Sequence, residues 1–435
     1  MPNKLPLFLS STLHDALDFT KPHLTTCPAC GLLCDDIVVA DIAMANVAND
    51  KIEPIKNVLA NGCAKGIGFF NQPTVESSPQ INGKSVELTA AIAHAAHLVK
   101  TSQTPLFAGL STDIHGFRAI YKLSQKTNAS FQHINNQSIA RNMTVLQSTG
   151  WHNTTLTEVK NRADVIICFG DVAKHHPRFF ERFINCDGMF VKAEDRQVII
   201  FSDVAEKTAF NNDATRLKQF DKSLNAPWIL PCSADDLPSV TIALRALVTG
   251  KFLKVSQIAG IKVSDLQIIA NKLNAATYAV LTWVAKDFDF NHAQLSIQNI
   301  TETVAKLNLT TRAAGLPLGS SDGDTSVNNA ITWLRGTALN NSTINSELIE
   351  HDLMIWVNSF STENLPPKTH KPMIVLGNST IKIKCDVFIP VATPGLDCTG
   401  TLFRVDSAVI LPLKKVRDNN LPTLSKVMLE IEKLL

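Results

Sequence analysis

The chain has 435 residues, of which 45% are hydrophobic and 18% charged, and this composition excludes the disordered and low-complexity classes. Its length allows two or three packed layers around a sizeable core. The net charge of +2 leaves no basic stripe for nucleic acid. No apolar run approaches the roughly twenty residues that a membrane helix needs. We therefore expect a cytosolic protein without a nucleic-acid or membrane partner, whose nine cysteines are kept reduced.

From residue 85 onward, apolar strand-like runs alternate with amphipathic helical stretches. Residues 86–100 have apolar side chains at helical spacing, 104–109 form a short buried strand, and 116–127 form the helix after it. Continuous apolar runs predict further central strands at 164–170, 197–202, 279–284, 352–357, 373–376 and 386–389. Strands separated by helices imply βαβ units and a mostly parallel sheet. Since these strands are too many for one compact sheet, we predict an α/β fold with two doubly wound domains.

Four cysteines near the N-terminus form the most informative motif. Cys27, Cys30 and Cys34 are followed by Cys63, with the spacing C-x2-C-x3-C-x28-C. Three cysteines in a tight loop and a fourth from a distant segment can ligate a [4Fe–4S] cluster, because the three close cysteines reach three of its corners and the fourth cysteine reaches the last one. A four-cysteine zinc site and a vestigial site are the alternatives, although zinc ribbons commonly use two C-x2-C pairs.

This motif, completed by C-x-K-G at Cys63, resembles the N-terminal cluster domain of the molybdopterin oxidoreductases. The resemblance implies that Lys65 lies between the cluster and the pterin. Further segments are similar to the B subunit of formylmethanofuran dehydrogenase and to its counterpart in the bacterial formyltransferase/hydrolase complex. These segments are residues 30–36, 162–170, His176-Pro177-Arg178, 316–319 and 389–406.

The resemblance also implies a domain organisation. A small cysteine-bearing segment covers residues 1–84. The first α/β domain is split between residues 85–149 and 346–435, and the second is inserted at 150–345. The C-terminal barrel that formate dehydrogenases of this family add is not expected in this chain.

Two departures from the redox members of the family bear on the function. Those members ligate molybdenum or tungsten through a cysteine or selenocysteine that a histidine follows. Here Ile114 takes the ligand position and His115 the histidine position, in the loop after the first α/β strand. An alkyl side chain has no lone pair for a metal. Leu318 stands where redox members have an arginine, so we expect neither a molybdenum or tungsten bis(pterin) cofactor nor a catalytic residue.

Without a pterin metal the cysteines have no electron-carrying role, so cluster, zinc and vestigial site all stay open, and Lys65 is pterin-adjacent or vestigial. Three other motifs favour structural roles. His115 and the pair His175–His176 are expected to be loop histidines, the pair because no third ligand follows it. Asp35–Asp36 is expected to form turns and caps. The loop 319–324 could hold a phosphate or pterin diphosphate, but it lacks the lysine of a P-loop.

The function that the resemblance implies is a non-redox B subunit of a formyltransferase/hydrolase complex in one-carbon metabolism, structural or carrier-binding. Its partners would be formyltransferase, amidohydrolase-like and small barrel subunits, acting on a methanofuran-type carrier on the route from formaldehyde to formate. The alternative is an active B subunit of formylmethanofuran dehydrogenase, an oxidoreductase with a metal pterin and a [4Fe–4S] cluster. A third is a pterin-binding or assembly scaffold outside one-carbon metabolism.

Overall fold

The computed structural model describes residues 23–40, 58–73, 75–203, 226–319, 322–339 and 349–435. Within these ranges no helix combines the length and the apolar character that crossing a membrane requires. The N-terminal part forms a three-stranded antiparallel sheet, β1 (His23–Thr25), β2 (Ile37–Val39) and β3 (Val58–Ala60), followed by helix α1 (Ala64–Phe70).

A seven-stranded sheet has the order β5-β4-β17-β16-β15-β6-β7. Its strands are β4 (Gln80–Ile81), β5 (Lys84–Ser85), β6 (Pro105–Ser111), β7 (Ser130–His133), β15 (Leu353–Asn358), β16 (Met373–Gly377) and β17 (Val387–Pro390). The five strands from β17 to β7 are parallel, and the β4–β5 hairpin is antiparallel. All residues of β6 and β15 are buried, which explains their continuous apolar sequences.

The helices that form the core on this sheet include α2 (Leu88–Thr101), α3 (Ile114–Ser124) and α11 (Leu424–Lys433). The core between helices and sheet includes Phe107, Phe117 and Val427. Helix α3 begins where the Asp113 carboxylate accepts a hydrogen bond from the Gly116 N–H at 2.9 Å. The sequence placed Ile114 and His115 in a loop. This was wrong, because the Asp113 cap starts the helix at Ile114.

A five-stranded parallel sheet has the order β10-β9-β8-β13-β14. Its strands are β8 (Val165–Phe169), β9 (Gln197–Ser202), β10 (Trp228–Pro231), β13 (Ala279–Trp283) and β14 (Ala313–Pro317). The remaining α-helices in the described part of the chain are α4 (Asn136–Ser148), α5 (Leu156–Arg162), α6 (Val172–His175), α7 (Leu237–Val248), α8 (Val263–Ala275), α9 (Gln294–Leu307) and α10 (Asp324–Arg335). Two small hairpins, β11 (Gln257–Ile258) with β12 (Ile261–Lys262) and β18 (Gly400–Phe403) with β19 (Ile410–Leu413), complete the described strands.

The two faces of β8 have different partners because alternate side chains of a strand point to opposite faces. Val165, Ile167 and Phe169 belong to a core shared with α7, α8 and α9. Ile166 and Cys168 belong to a core that includes the cysteine loop at residues 27–34. The cysteine loop is therefore packed into the core on one face of the five-stranded sheet.

The predicted α/β fold with parallel sheets is confirmed, and none of the described sheets closes into a barrel. The strands predicted from apolar runs correspond to β6, β8, β9, β13, β15, β16 and β17. The domain boundaries at residues 84, 149 and 345 stay a prediction.

A buried ion pair connects the C-terminal part to the rest of the fold. Arg417 Nε donates to Asp397 Oδ1 at 2.7 Å, and the side chains are 3% and 2% exposed. Asp397 Oδ2 accepts from the Thr393 N–H at 3.0 Å, and Arg417 Nη1 donates to the Gln72 carbonyl at 2.6 Å.

Removing one partner would leave a charge that is both buried and unpaired. We expect Asp397→Leu to lower the free energy of unfolding by about 3–5 kcal/mol, and the double variant Asp397→Leu/Arg417→Met to recover most of that loss. Urea unfolding of the three proteins measures both effects. A double variant no more stable than the single one would contradict this account.

Candidate functional site

The cysteine loop lies in the β1–β2 connection. The Cys27 N–H donates to the Cys34 carbonyl at 2.9 Å, which closes the loop, and Leu33 has a φ of 47°. Cys27, Cys30 and Cys34 are buried, whereas the more exposed Cys63 caps helix α1 by accepting from the Gly66 N–H at 3.5 Å.

Gly66 shows how closely the chain is fitted around these thiols. A Cβ added at Gly66 would lie 3.2 Å from Cys27 Sγ and 3.9 Å from Cys63 Sγ. A side chain at residue 66 would crowd the space between Cys63 and the loop that contains Cys27. The four thiols are near enough to affect one another electrostatically, so the structure brings together the set that the spacing predicted.

Burial and mutual repulsion oppose ionisation of these thiols. Burial raises the pKa of Cys30 to about 12 and that of Cys34 to about 11, and it also raises the pKa of Cys27. A bound cation would displace the protons, as it does for ligating thiols generally. No three Cys, His, Asp or Glu side chains among the described residues are arranged to hold one metal ion. Four thiols, three of them in one loop, are the donor set that a [4Fe–4S] cluster takes, and a four-cysteine zinc site would use the same set.

Two arginines lie against the cysteine loop. Arg178 makes a bidentate ion pair with Asp36, with distances of 2.7 and 2.8 Å, and also contacts Glu181. Arg182 donates to Asp35 Oδ1 at 2.7 Å and contacts Asp36. Burial alone would raise the pKa of Asp36, but the two arginines hold it below its usual value. The acidic pair was predicted to form turns and caps, whereas the structure gives it ion pairs with residues far along the chain.

Lys65 lies next to the cysteines and to the histidine pair. Its Nζ donates to the His175 carbonyl at 2.9 Å. His175 Nε2 lies 2.7 Å from Asp287 Oδ1, in the turn that follows β13. His176 is 1% exposed, and neither ring nitrogen makes a hydrogen bond of ordinary geometry among the described residues, although the Gly319 backbone lies near the ring. The histidines therefore have separate surroundings and do not form a paired metal site.

Ile114 and His115 lie at the carboxyl end of β6. The Ile114 side chain is 5% exposed, and the His115 side chain is exposed with Nε2 3.2 Å from Thr401 Oγ1. Burial raises the pKa of the neighbouring Asp113, although its two oxygens accept backbone N–H groups of Gly116 and Thr401. Neither the Ile114 side chain nor the His115 imidazole is a soft ligand for molybdenum or tungsten.

A turn at Asp322–Gly323 packs against this same edge. A Cβ on Gly323, which has a φ of 73°, would lie 2.3 Å from the Thr112 carbonyl oxygen. His133 Nε2 lies 3.3 Å from the Asp322 carbonyl, and Asn364 Nδ2 donates to Asp322 Oδ1 at 3.1 Å. The turn thus bridges the loops that follow β6, β7 and β15.

Leu318 is fully buried, and its N–H donates to the Trp283 carbonyl at 2.7 Å. Ser320 and Ser321 of the predicted phosphate loop lie outside the described residues. Arg182 and Asp287 were not singled out from the sequence. The spacing of Arg178 and Arg182 by four residues, beside an acidic pair adjoining Cys34, is the signal that could have indicated the first of them.

Several known proteins are similar to this chain. No family model matches the chain. It is 25% identical over 429 residues to the B subunit of tungsten-containing formylmethanofuran dehydrogenase 2 from Methanocaldococcus jannaschii, covering 90% of this chain and 93% of the relative. The protein of the same name from Methanococcus maripaludis is 25% identical over 422 residues, with 90% and 92% covered.

A shorter stretch of 91 residues is 33% identical to the B subunit of the formyltransferase/hydrolase complex of Methylorubrum extorquens, covering 21% of this chain and 25% of the relative. The crystal structure of that organism's formyltransferase/hydrolase complex with methylofuran contains a chain of the same fold. Its TM-score is 0.65 at 20% identity, with 82% of this chain and 98% of that chain covered. The resemblance to these B subunits is confirmed.

The buried His176 should make the free energy of unfolding depend on pH. Burial first, and then Lys65, lowers its pKa to about 3. The unfolded chain binds a proton near the ordinary pKa of about 6.5, whereas the folded chain does not do so until about 3. The contribution of the neutral His176 to the free energy of unfolding is therefore fully present above about pH 6.5. It declines as the pH falls, and at pH 5 it is lower by about 2 kcal/mol.

We expect His176→Leu to remove this part of the pH dependence, because leucine has no group that takes up a proton. Urea unfolding at pH 8 and pH 5 gives the difference. His97→Leu, on the exposed face of α2, is the matched control for loss of an imidazole. An unchanged slope in His176→Leu would refute the assignment.

Proposed function

We propose that this chain is a non-redox B subunit of a formyltransferase/hydrolase complex in one-carbon metabolism, with a structural or carrier-binding role. The observation that carries the proposal is Ile114, a buried alkyl side chain at the position where redox relatives have the metal ligand. The closely packed Gly323 turn supports the same conclusion, since the chain itself fills space at that edge. The residues present do not fit a molybdenum or tungsten pterin, so no chemical step is assigned to one.

The second candidate is an active oxidoreductase subunit. It is favoured by the two long relatives, whose names include tungsten and formylmethanofuran dehydrogenase. Such an enzyme would need a thiolate or selenolate at residue 114 and a cation near residue 318. Here these positions hold an isoleucine and a fully buried leucine. We therefore rank it below the non-redox role.

The proposed partners are formyltransferase, amidohydrolase-like and small barrel subunits in the cytosol of a methylotrophic bacterium, and the carrier is of the methanofuran type. Support comes from the matching fold of a chain in a complex that holds methylofuran. The 91-residue similarity to the B subunit of that complex adds to it. A scaffold outside one-carbon metabolism would lack these partners.

The proposal predicts the metal content of the purified complex. We expect no molybdenum or tungsten above trace, because residue 114 offers no donor atom. We also expect Ile114→Cys alone to acquire no stoichiometric metal, since the Gly323 turn packs on Thr112 at the same edge. Mass spectrometry of both proteins, expressed with added molybdate and tungstate, is the measurement. Stoichiometric metal in the unaltered protein would establish the oxidoreductase instead.

The proposal also predicts dependence on partner subunits. The near-neutral net charge gives little electrostatic repulsion between copies. Large apolar side chains such as Trp333, 70% exposed, and Ile410, 41% exposed, add to the tendency to associate. We expect the lone chain to self-associate in size-exclusion chromatography, and co-expression with the three partner types to yield a defined hetero-oligomer. A stable monomer that binds none of these partners would favour the scaffold alternative.

A further inference from the structure

We propose that Arg178 and Arg182 are positioning residues for a [4Fe–4S] cluster bound by Cys27, Cys30, Cys34 and Cys63. The inference goes beyond the proposed function, because it concerns the thiol site and holds whether or not the chain belongs to a non-redox complex. When bound, the group would supply an iron–sulfur centre with a net negative charge in the core. The chain's own residues must hold the loop in place and offset that charge.

The first argument is the geometry of the anchor. Asp35 and Asp36 directly follow Cys34, and both are bound by arginines from the segment after β8. The bidentate Arg178–Asp36 pair fixes both the distance and the orientation of the two groups, which a single contact would not. Arg182 lies one turn later, at the π-helical turn Phe180–Ile184, and binds Asp35. Two independent contacts therefore fix the loop at its third ligand.

The second argument is the order of the charges from solvent to core. The Arg178 and Arg182 side chains are 6% and 21% exposed, whereas Asp36 and Asp35 are 37% and 59% exposed. The guanidinium groups are thus deeper than the carboxylates that bind them. Positive groups beside the third ligand would offset the net negative charge of a thiolate-bound cluster.

The third argument is the space between the distant cysteine and the loop. Gly66 lies there without a side chain, and a Cβ added to it would lie 3.2 Å from Cys27 Sγ and 3.9 Å from Cys63 Sγ. Four converging thiols are the donor set that a [4Fe–4S] cluster takes. Zinc takes the same donor set, and one zinc per chain is therefore an outcome of the experiment.

The experiment compares Arg182→Gln, which removes the charge, with Arg182→Lys, which keeps the charge and loses the planar fork. Arg245→Gln is the matched control, because Arg245 also forms an ion pair, with Glu302, in the layer of α7 and α9. All proteins are co-expressed with partners, purified anaerobically and supplied with iron and sulfide. The readouts are iron per chain, visible absorbance, the rate of iron loss to a ferrous chelator, and the midpoint potential by EPR-monitored titration.

We expect about four irons per chain in the parent. Arg182→Gln should lose iron roughly 10- to 100-fold faster, as removal of an outer partner does at other metal sites. It should also have a lower midpoint potential, because the added electron of the reduced cluster is stabilised by one positive charge fewer. Arg182→Lys should keep the potential while losing iron faster, and the control should match the parent. A purely structural arginine would not move the potential.

Four results would overturn the inference. These are a parent without iron after reconstitution, one zinc per chain in its place, a potential unchanged in Arg182→Gln, and iron loss no faster than in Arg245→Gln. Should Arg182→Gln fail to fold, Asp35→Asn removes one of the two carboxylates that Arg182 contacts, and unchanged iron loss there would overturn the inference as well. Molybdenum and tungsten content and partner binding are measured on the same samples, so failure of the proposed function is seen separately.

Discussion

The ion pair between Arg178 and Asp36 joins two parts of the chain that are 142 residues apart in sequence. One part is the cysteine loop, whose backbone has little regular structure of its own. The other is the segment that leaves β8 at the carboxyl edge of the five-stranded sheet. Because the guanidinium is 6% exposed, water competes weakly with the carboxylate, and the bidentate geometry restricts how the two can move. This contact holds the thiols over the sheet together with Leu32 and Leu33 of the loop, which are buried in the same core.

The carboxyl edges of the two parallel sheets contain different kinds of residue. Parallel strands end together, so the segments after β8, β13 and β14 meet, as do those after β6, β7 and β15. Ligand sites of α/β proteins lie at such edges. In this chain a hydrophobic side chain, a capped helix start and a tightly packed glycine turn fill the edge of the seven-stranded sheet. Polar groups remain at the edge of the five-stranded sheet, where Lys65 and His176 lie near the cysteines.

This contrast separates two properties that occur together in redox enzymes. A site for a pterin metal needs a donor atom and space, and here the Ile114 position lacks the first. A site for an iron–sulfur cluster needs four thiols and compensation of charge, and those groups are present. A protein can keep the second property without the first if the cluster contributes to folding, since metal binding free energy is also folding free energy.

The amino-acid sequence by itself determined the strands and the four-cysteine set. Seven apolar runs became buried parallel strands, because a strand covered on both faces must be apolar at nearly every position. The cysteine spacing predicted convergence, because three ligands within eight residues can share one loop. The sequence also placed an alkyl group at residue 114. These are properties of single positions or short segments, and they need no knowledge of distant residues.

Only the tertiary structure decided the rest. It started α3 at Ile114, because the Asp113 cap competes with a loop in a way that the apolar pattern does not encode. It gave Asp35 and Asp36 arginine partners instead of a turn-forming role, and it packed Gly323 on Thr112 across more than 200 residues. The arginine partners and the Gly323 contact join segments remote in sequence, whereas the Asp113 cap is a local contact with Gly116 that the apolar pattern missed. Whether such groups meet depends on how the sheets and helices pack, so the residue types alone could not reveal it.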